Sequence, residues 1–211
     1  MIKVILCDDH ALIRRGIRDT LSDAPDVEVV GEAGDYGELR SLMRGASCDV
    51  LVLDINMPGR SGLDVLHVLK DEGSPVKVLI VSMYPEDQYA IRALRAGAFG
   101  YVNKGGDPQL LVQAVRTVAQ GRKYVTPEIA QMLVESLTTP TSENAHEKLS
   151  DRELQTLVMI ASGKRLSDIA EELMLSPKTV SVYRARVLEK LGLANNSELT
   201  VYAIRNNLVG N

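Results

Sequence analysis

At 211 residues the chain is long enough for one large domain or two small ones, and its 45% apolar and 25% charged content is an ordinary globular balance. Two cysteines are too few for a disulfide framework or a zinc cluster, and no apolar run approaches membrane-spanning length. The net charge of -4 is unevenly spread: residues 148–211 hold nine Lys/Arg against seven Asp/Glu, and the remainder fifteen against twenty-one, so an acidic front half joins a mildly basic back half.

The pattern predicts a strand over Ile2–Cys7, ending in Asp8-Asp9. This apolar run is too short for a signal peptide, which favours a cytoplasmic protein with Cys7 and Cys48 as buried free thiols. Ala11, Leu12, Gly16, Ile17 and Leu21 then recur at helical spacing. His10 has no second histidine at metal spacing and reads as the opening of this helix rather than a ligand; His67 and His146 read as ordinary helix and linker residues. A strand over Val27–Gly31 and a helix over Tyr36–Arg44 follow. Val50–Leu53 is a continuous apolar run suited to a strand buried on both faces, and it leads directly into Asp54. Ser61-Gly62 enters a third helix. Val76–Val81 is a fourth strand ending at Ser82, Ala90–Ala96 belongs to a fourth helix, and Gly100–Val102 is a short fifth strand before Lys104. Asp107-Pro108 starts a fifth helix, with an acceptor at the N-cap and Pro at the first helical position, and Gly121 stops it.

Five β-α units in strict alternation imply right-handed crossovers and a doubly wound, flavodoxin-like parallel sheet with helices on both faces. Ligands of such sheets sit beyond the carboxyl ends of the strands. There the chain places Asp8, Asp9, Asp54, Ser82 and Lys104. Clustered carboxylates repel unless a cation joins them, and Mg2+ takes carboxylates, a carbonyl and waters while leaving positions for phosphate oxygens. Lys104 and Ser82 would supply charge and a donor to a phosphoryl group.

Thr126-Pro127-Glu128 starts a connector helix with Ile129, Met132, Leu133 and Leu137 on one stripe. A polar, Pro-containing stretch from Thr138 to Glu147 reads as a linker. These features divide the chain into residues 1–122, a connector over 123–147, and a second domain over 148–211. In the latter, Ser150 and Glu153 form a capping box, and a helix follows to Gly163. Ser167–Leu173 is a short helix, Met174-Leu175 a turn, and Ser176-Pro177 the start of a longer basic helix burying Val180, Val187, Leu188 and Leu191. Asn195 or Asn196 begins a last helix carrying Leu199, Val201, Tyr202 and Ile204. Short helix, tight turn and longer basic helix read as helix-turn-helix. The outward face of the long helix holds Lys178, Ser181, Val182 and Ala185, with Arg184, Arg186 and Lys190 on its flanks.

The Asp8-Asp9 pair, Asp54 followed by Met57-Pro58-Gly59, Ser82 and Lys104 resemble the receiver domain of bacterial two-component response regulators, with its CheY-like fold. The resemblance implies that Asp54 accepts a phosphoryl group from a phosphohistidine on a sensor histidine kinase or phosphotransfer protein. It implies direct Mg2+ binding by Asp9, binding through water by Asp8, and a further ligand from the Asn56 backbone carbonyl. Ser82 and Lys104 would each meet a phosphoryl oxygen, and Tyr101 stands where the switch aromatic stands, turning inward as Ser82 moves toward the phosphate. Two departures stand out: Gly105-Gly106 follows Lys104 where many receivers have Pro, and Ser82 replaces the commoner Thr while keeping the donor.

Leu149-Ser150, Glu153, Ile169-Ala170, Ser176-Pro177-Lys178-Thr179-Val180 and Lys190-Leu191-Gly192 resemble the LuxR-type four-helix DNA-binding domain. This implies Lys178, Thr179 and Arg184 near phosphates, and Ser181, Val182 and Ala185 facing base edges. The last helix would be the dimerisation element. Receiver plus LuxR-type domain is the arrangement of the NarL/FixJ response regulators. The expected function is a phosphorylation-controlled transcription regulator that binds promoter DNA as a homodimer, with RNA polymerase a possible partner and no membrane involved. Two alternatives compete. An aspartyl-phosphate hydrolase would need a general acid two residues after its nucleophile, where this chain has Asn56, so only slow self-dephosphorylation is expected, with Asn56 and Tyr84 positioned to screen the attacking water. A constitutive DNA-binding regulator would leave the acidic pocket without a signalling role.

Overall fold

The structure, a computed structural model, describes residues 1–84, 86–138, 145–206 and 208–209. It divides into two compact units, Met1–Thr138 and Thr139–Asn211.

In the first unit five strands, β1 (Ile2–Cys7), β2 (Val27–Ala33), β3 (Val50–Asp54), β4 (Lys77–Ser82) and β5 (Gly100–Asn103), form an all-parallel sheet in the order β2-β1-β3-β4-β5. Five helices alternate with them: α1 (Ala11–Ser22), α2 (Tyr36–Gly45), α3 (Gly62–Asp71), α4 (Glu86–Ala96) and α5 (Pro108–Ala119). The chain order and the doubly wound topology are those expected from the alternation. The boundaries shift by a few residues: β2 runs on to Ala33, β4 starts at Lys77, α4 starts at Glu86, and Asp54 belongs to β3 itself.

All five residues of β3 are buried, because helices cover both faces of this central strand. Successive side chains point to opposite faces. Val4, Leu6, Val50, Val52, Leu79, Val81 and Val102 therefore join Leu21 of α1 and Leu111, Ala114, Val115 and Val118 of α5 in one core layer. The intervening Ile5, Leu51, Leu53, Ile80 and Tyr101 are equally buried. Side-chain caps fix where the helices start: Asp35 on α2, the Ser61–Asp64 box on α3 and Asp107 on α5. The connector helix, α6 (Pro127–Thr138), packs against α4, and a bridge from Gly100 to Tyr124 leads the chain toward it. The stripe residue Ile129 is fully buried. Of the proposed linker, residues 139–144 lie outside the described residues, and Ala145–Lys148 forms a 3-10 turn.

The second unit comprises α7 (Asp151–Ala161), α8 (Leu166–Glu172), α9 (Pro177–Leu191) and α10 (Asn196–Arg205), with α7 touching each of the other three. Both predicted starts are present: the Ser150–Glu153 capping box on α7, and Ser176 accepting from the Thr179 N–H with Pro177 next on α9. One packing expectation is corrected. Leu188 and Leu191 are half-buried rather than buried. On α10 only Leu199 and Ala203 reach the core, and Val201 and Ile204 are exposed. At helical spacing Val201 and Ile204 lie together, off the stripe of Leu199 and Ala203.

Candidate functional site

The carboxyl ends of β1, β3, β4 and β5 bring one polar set together. Asp54 closes β3 and is 1% exposed; Asp8 follows β1 and is 2% exposed. Lys104 follows β5, and its backbone N–H donates to the Ser82 carbonyl at 2.9 Å, which ties the exit of β5 to the end of β4. The Lys104 ammonium lies 2.7 Å from Asp8 Oδ2 and 2.7 Å from Asp54 Oδ2, bridging the two buried carboxylates. Asp8 Oδ1 accepts from the His10 N–H at 2.8 Å, and His10 Nδ1 lies 2.6 Å from Asp9 Oδ1. Burial pushes the Asp54 carboxyl up to about 6; the Lys104 charge pulls against that, Asp8 adds to it, and bonds from Lys104 and the Asn56 backbone limit it.

Asp8 Oδ2, Asp9 Oδ1 and Asp54 Oδ2 are buried without an aligned hydrogen bond. They are oxygen donors converging on one point with one ammonium between two of them, a set that a hard divalent cation fits. Asp8, Asp9, His10 and Asp54 each offer a ligand atom, all within 4.8 Å of one another.

Ser82 and Tyr101 grip one residue. Ser82 Oγ accepts from the Tyr84 N–H at 3.2 Å, and the Tyr101 hydroxyl donates to the Tyr84 carbonyl at 2.7 Å. Asn103 Nδ2 donates to the same carbonyl at 3.2 Å. Tyr101 is fully buried, so it already has the inward position, and the Tyr84 ring stacks on Tyr89 with centroids 4.7 Å apart. The two glycines after Lys104 form a turn closed by Asn103, whose Oδ1 accepts from the Gly105 N–H and whose carbonyl accepts from the Gly106 N–H.

Three contributors lie outside the set expected from the sequence. A Cβ on Gly62 would stand 2.0 Å from the Asp54 carbonyl oxygen, so only glycine lets α3 enter against the end of β3. The Arg14 guanidinium donates to the Asp8 backbone carbonyl and pairs with Glu32 at 3.3 Å, bracing the loop that carries both acids. His10, read as a helix opening, does occupy the N-cap position of α1, without a side-chain cap bond, and turns its ring toward Asp9. Arg14 lies one helical turn after His10, a spacing visible in sequence; the Gly62 approach depends on the path of the loop and has no local signal.

The second candidate surface is α9. Lys178, Ser181, Val182, Ala185 and Arg186 are exposed, and Thr179 is half-buried beside the cap, its Oγ1 2.8 Å from Ser176 Oγ. Arg184 and Lys190 are engaged instead of extended outward. Arg184 Nε donates to Asn196 Oδ1 at 2.5 Å, and Lys190 Nζ lies 2.6 Å from Glu153 Oε2. The turn before α9 places Met174 at φ 48, in the left-handed region.

Residues 4–116 match the family model for the response regulator receiver domain, and residues 147–203 match that for bacterial regulatory proteins of the luxR family. The chain is 39% identical over 209 residues to the response regulator UvrY of Escherichia coli K12, covering 99% of this chain and 96% of that one. It is 39% identical over 210 residues to the response regulator GacA of Pseudomonas aeruginosa, covering 99% and 98%. Among solved structures it is similar to RcsB from Salmonella enterica serovar Typhimurium bound to promoter rprA in the presence of phosphomimetic BeF3-, with a TM-score of 0.65 and 26% identity over 95% of this chain and 97% of that one. No helix among the described residues is long and apolar enough to cross a membrane.

Proposed function

We propose that this chain, which belongs to the NarL/FixJ family of two-component response regulators and is a DNA-binding transcription regulator of that kind, is switched by phosphorylation of Asp54. The observation that carries this is the meeting of Asp54, Asp8 and Lys104, each almost fully buried, at the ends of three strands. An Asp54 carboxylate oxygen attacks the phosphorus of a phosphohistidine on a sensor histidine kinase or phosphotransfer protein. The new P–O bond forms as the P–N bond breaks, and the imidazole leaves with the electron pair. Lys104, already against Asp54 Oδ2, stays within reach to neutralise charge on a phosphoryl oxygen. The Ser82 hydroxyl accepts from the Tyr84 N–H and keeps its own proton free to donate to another phosphoryl oxygen.

Mg2+ belongs in this pocket. Asp8, Asp9, Asp54 and the Asn56 backbone carbonyl are the residues to hold it, and when bound it supplies charge stabilisation to the transferring phosphoryl group. Asn56 stands where a phosphatase of this chemistry would keep an acid, and it has no titrating proton to give. The protein is therefore read as a regulator that loses its phosphoryl group slowly, not as a turnover enzyme.

The signal leaves through Tyr84. Ser82 and Tyr101 hold its two backbone polar groups, so a Ser82 hydroxyl drawn toward a phosphoryl oxygen pulls on the β4–α4 segment and on the β5 aromatic together. The output is a DNA-binding homodimer in the cytoplasm. α9 lies in the major groove with Ser181, Val182 and Ala185 toward base edges and Lys178, Thr179 and Arg186 toward phosphates. With few long polar side chains on that face, DNA shape, methyl contacts and water carry much of the specificity. Exposed Val201 and Ile204 make α10 the dimer face, placing two half-sites about one helical turn apart. RNA polymerase is the expected partner at the promoter.

Incubation with acetyl phosphate and Mg2+ followed by intact mass tests the switch. One phosphoryl group on the wild type and none on Asp54→Ala is the expected result. A gain that survives in Asp54→Ala would move the acceptor elsewhere, and no gain in the wild type beside a working control would leave a constitutive DNA-binding regulator.

A further inference from the structure

We infer that His10 is a metal ligand, and that its ring nitrogen makes the acidic pocket selective for borderline divalent transition ions over Mg2+. The inference rests on reading that pocket as a cation site. Among the described residues, one cluster brings three carboxylates and an imidazole close enough for all four ligand atoms to lie within 4.8 Å of one another. Oxygen atoms of Asp8, Asp9 and Asp54 in this cluster are buried without an aligned hydrogen bond. Three carboxylates alone would suit Mg2+, which takes oxygen ligands. The fourth donor changes the class.

His10 Nδ1 lies 2.6 Å from Asp9 Oδ1 and 3.7 Å from Asp8 Oδ1, so the ring edge already faces both acids that would hold the ion. Its backbone is held as well, since the His10 N–H donates to Asp8 Oδ1 and its carbonyl accepts from the Arg14 N–H at 2.9 Å. The ring is half exposed. As a ligand through Nδ1 the neutral ring carries its proton on Nε2, and the close approach of Nδ1 to Asp9 Oδ1 is replaced by a shared metal. Imidazole with carboxylates suits first-row transition ions, whose affinities for such a site rise from Mn2+ toward Ni2+ and Cu2+.

Co2+ is the probe, read by its visible absorption in the full chain, with Mg2+ binding measured separately by calorimetry. A preference for Co2+ alone decides nothing, because carboxylates share it. The comparison with His10→Ala and His10→Asn decides. Both variants should weaken Co2+ binding by at least about tenfold, the loss that removing even an outer-shell partner of a metal ligand brings, while Mg2+ affinity stays within about twofold. Saturating Mg2+ should displace Co2+ from the wild type. Equal loss for both ions would make His10 a brace for Asp9 and overturn the inference, as would unchanged Co2+ affinity or a Co2+ signal that survives Mg2+. If the wild type binds Co2+ and Mg2+ and the variants bind them equally well, the histidine ligand fails and the acidic pocket stands. If it binds neither, both fail.

Discussion

Gly62 lies against the main chain of Asp54 with no room for a methyl group: an added Cβ would stand 2.0 Å from the Asp54 carbonyl oxygen and 2.8 Å from its carbon. Backbone cannot rotate away as a flexible side chain can, so Gly62→Ala must displace either the start of α3 or the end of β3. Overpacking of this kind costs about 1–3 kcal/mol. Urea unfolding should show that loss, and acetyl phosphate should label the surviving folded protein more slowly than wild type. Wild-type stability in Gly62→Ala would mean the loop yields without strain.

The Lys104 ammonium is the one cation among the described residues that touches both Asp8 and Asp54. Removing one partner of a buried ion pair leaves an uncompensated charge, typically at a cost of about 3–5 kcal/mol. Lys104→Ala should therefore be strongly destabilised at neutral pH without divalent ions. Added Mg2+ should recover part of the loss, and should bind more tightly than to wild type because no ammonium competes for the carboxylates. Calorimetric titration checks the affinity and urea unfolding the stability; weaker Mg2+ binding in the variant would sink the argument.

Much of the receiver unit is written in its pattern. Strict alternation of apolar runs with helical stripes is enough to place five strands, and the polar residues that end those runs converge because a parallel sheet brings all carboxyl ends to one edge. The contacts that refine the site are not periodic. His10 turning to Asp9, Ser82 and Tyr101 sharing Tyr84, and α3 closing on Asp54 each depend on loop paths that no spacing rule encodes. The same holds on α9, where the basic face is legible as a stripe. Yet Lys190 and Arg184 are drawn away from it by Glu153 and Asn196, partners 37 and 12 residues distant in the chain.

Cys7 and Cys48 should differ from ordinary thiols. Burial, with Asp8, Asp35 and Asp54 adding to it, pushes the Cys7 thiol up to about 12; burial pushes Cys48 to about 11. At pH 8 only about one Cys7 in ten thousand would be thiolate, and the thiolate is the reactive form. Iodoacetamide should leave native Cys7 unmodified over hours and label Cys48 slowly, and both should react at once in urea. Rapid labelling of native Cys7 would show that the end of β1 opens.

Met174 occupies the left-handed region at φ 48, where its N–H donates to the Glu171 carbonyl and the next N–H, of Leu175, to Ala170. A residue with a Cβ holds that conformation at a cost of about 1–2 kcal/mol, whereas glycine visits it freely. Its side chain is 71% exposed, so little packing is lost with it. Met174→Gly should stabilise the second unit by about 0.5–1 kcal/mol, after allowance for the greater freedom of glycine in the unfolded chain. A thermal transition of that unit at or below the wild-type temperature would contradict this.

Lys190 is held inside its own unit, unlike the exposed cations Lys178 and Arg186 of α9. Its ammonium lies 2.6 Å from Glu153, whose carboxylate also accepts from the Ser150 N–H at 2.7 Å. Burial raises the Glu153 carboxyl, but the bonds from Lys190 and the Ser150 backbone outweigh it and hold the group below its ordinary range. A depressed folded-state value means a stabilising contribution that is complete above the unfolded carboxylate range and is lost as pH falls through the folded value. Lys190→Ala and Glu153→Gln should therefore reduce stability at pH 7 and narrow the gap to wild type at acid pH. Each cation removed from a DNA phosphate should lower the slope of log affinity against log salt by about 1. Lys178→Ala and Arg186→Ala should show that change, since both side chains are exposed on the open face of α9. Lys190→Ala should leave the slope unchanged under conditions where it remains folded. A reduced slope in Lys190→Ala would mean that the ammonium leaves Glu153 for the DNA backbone on binding.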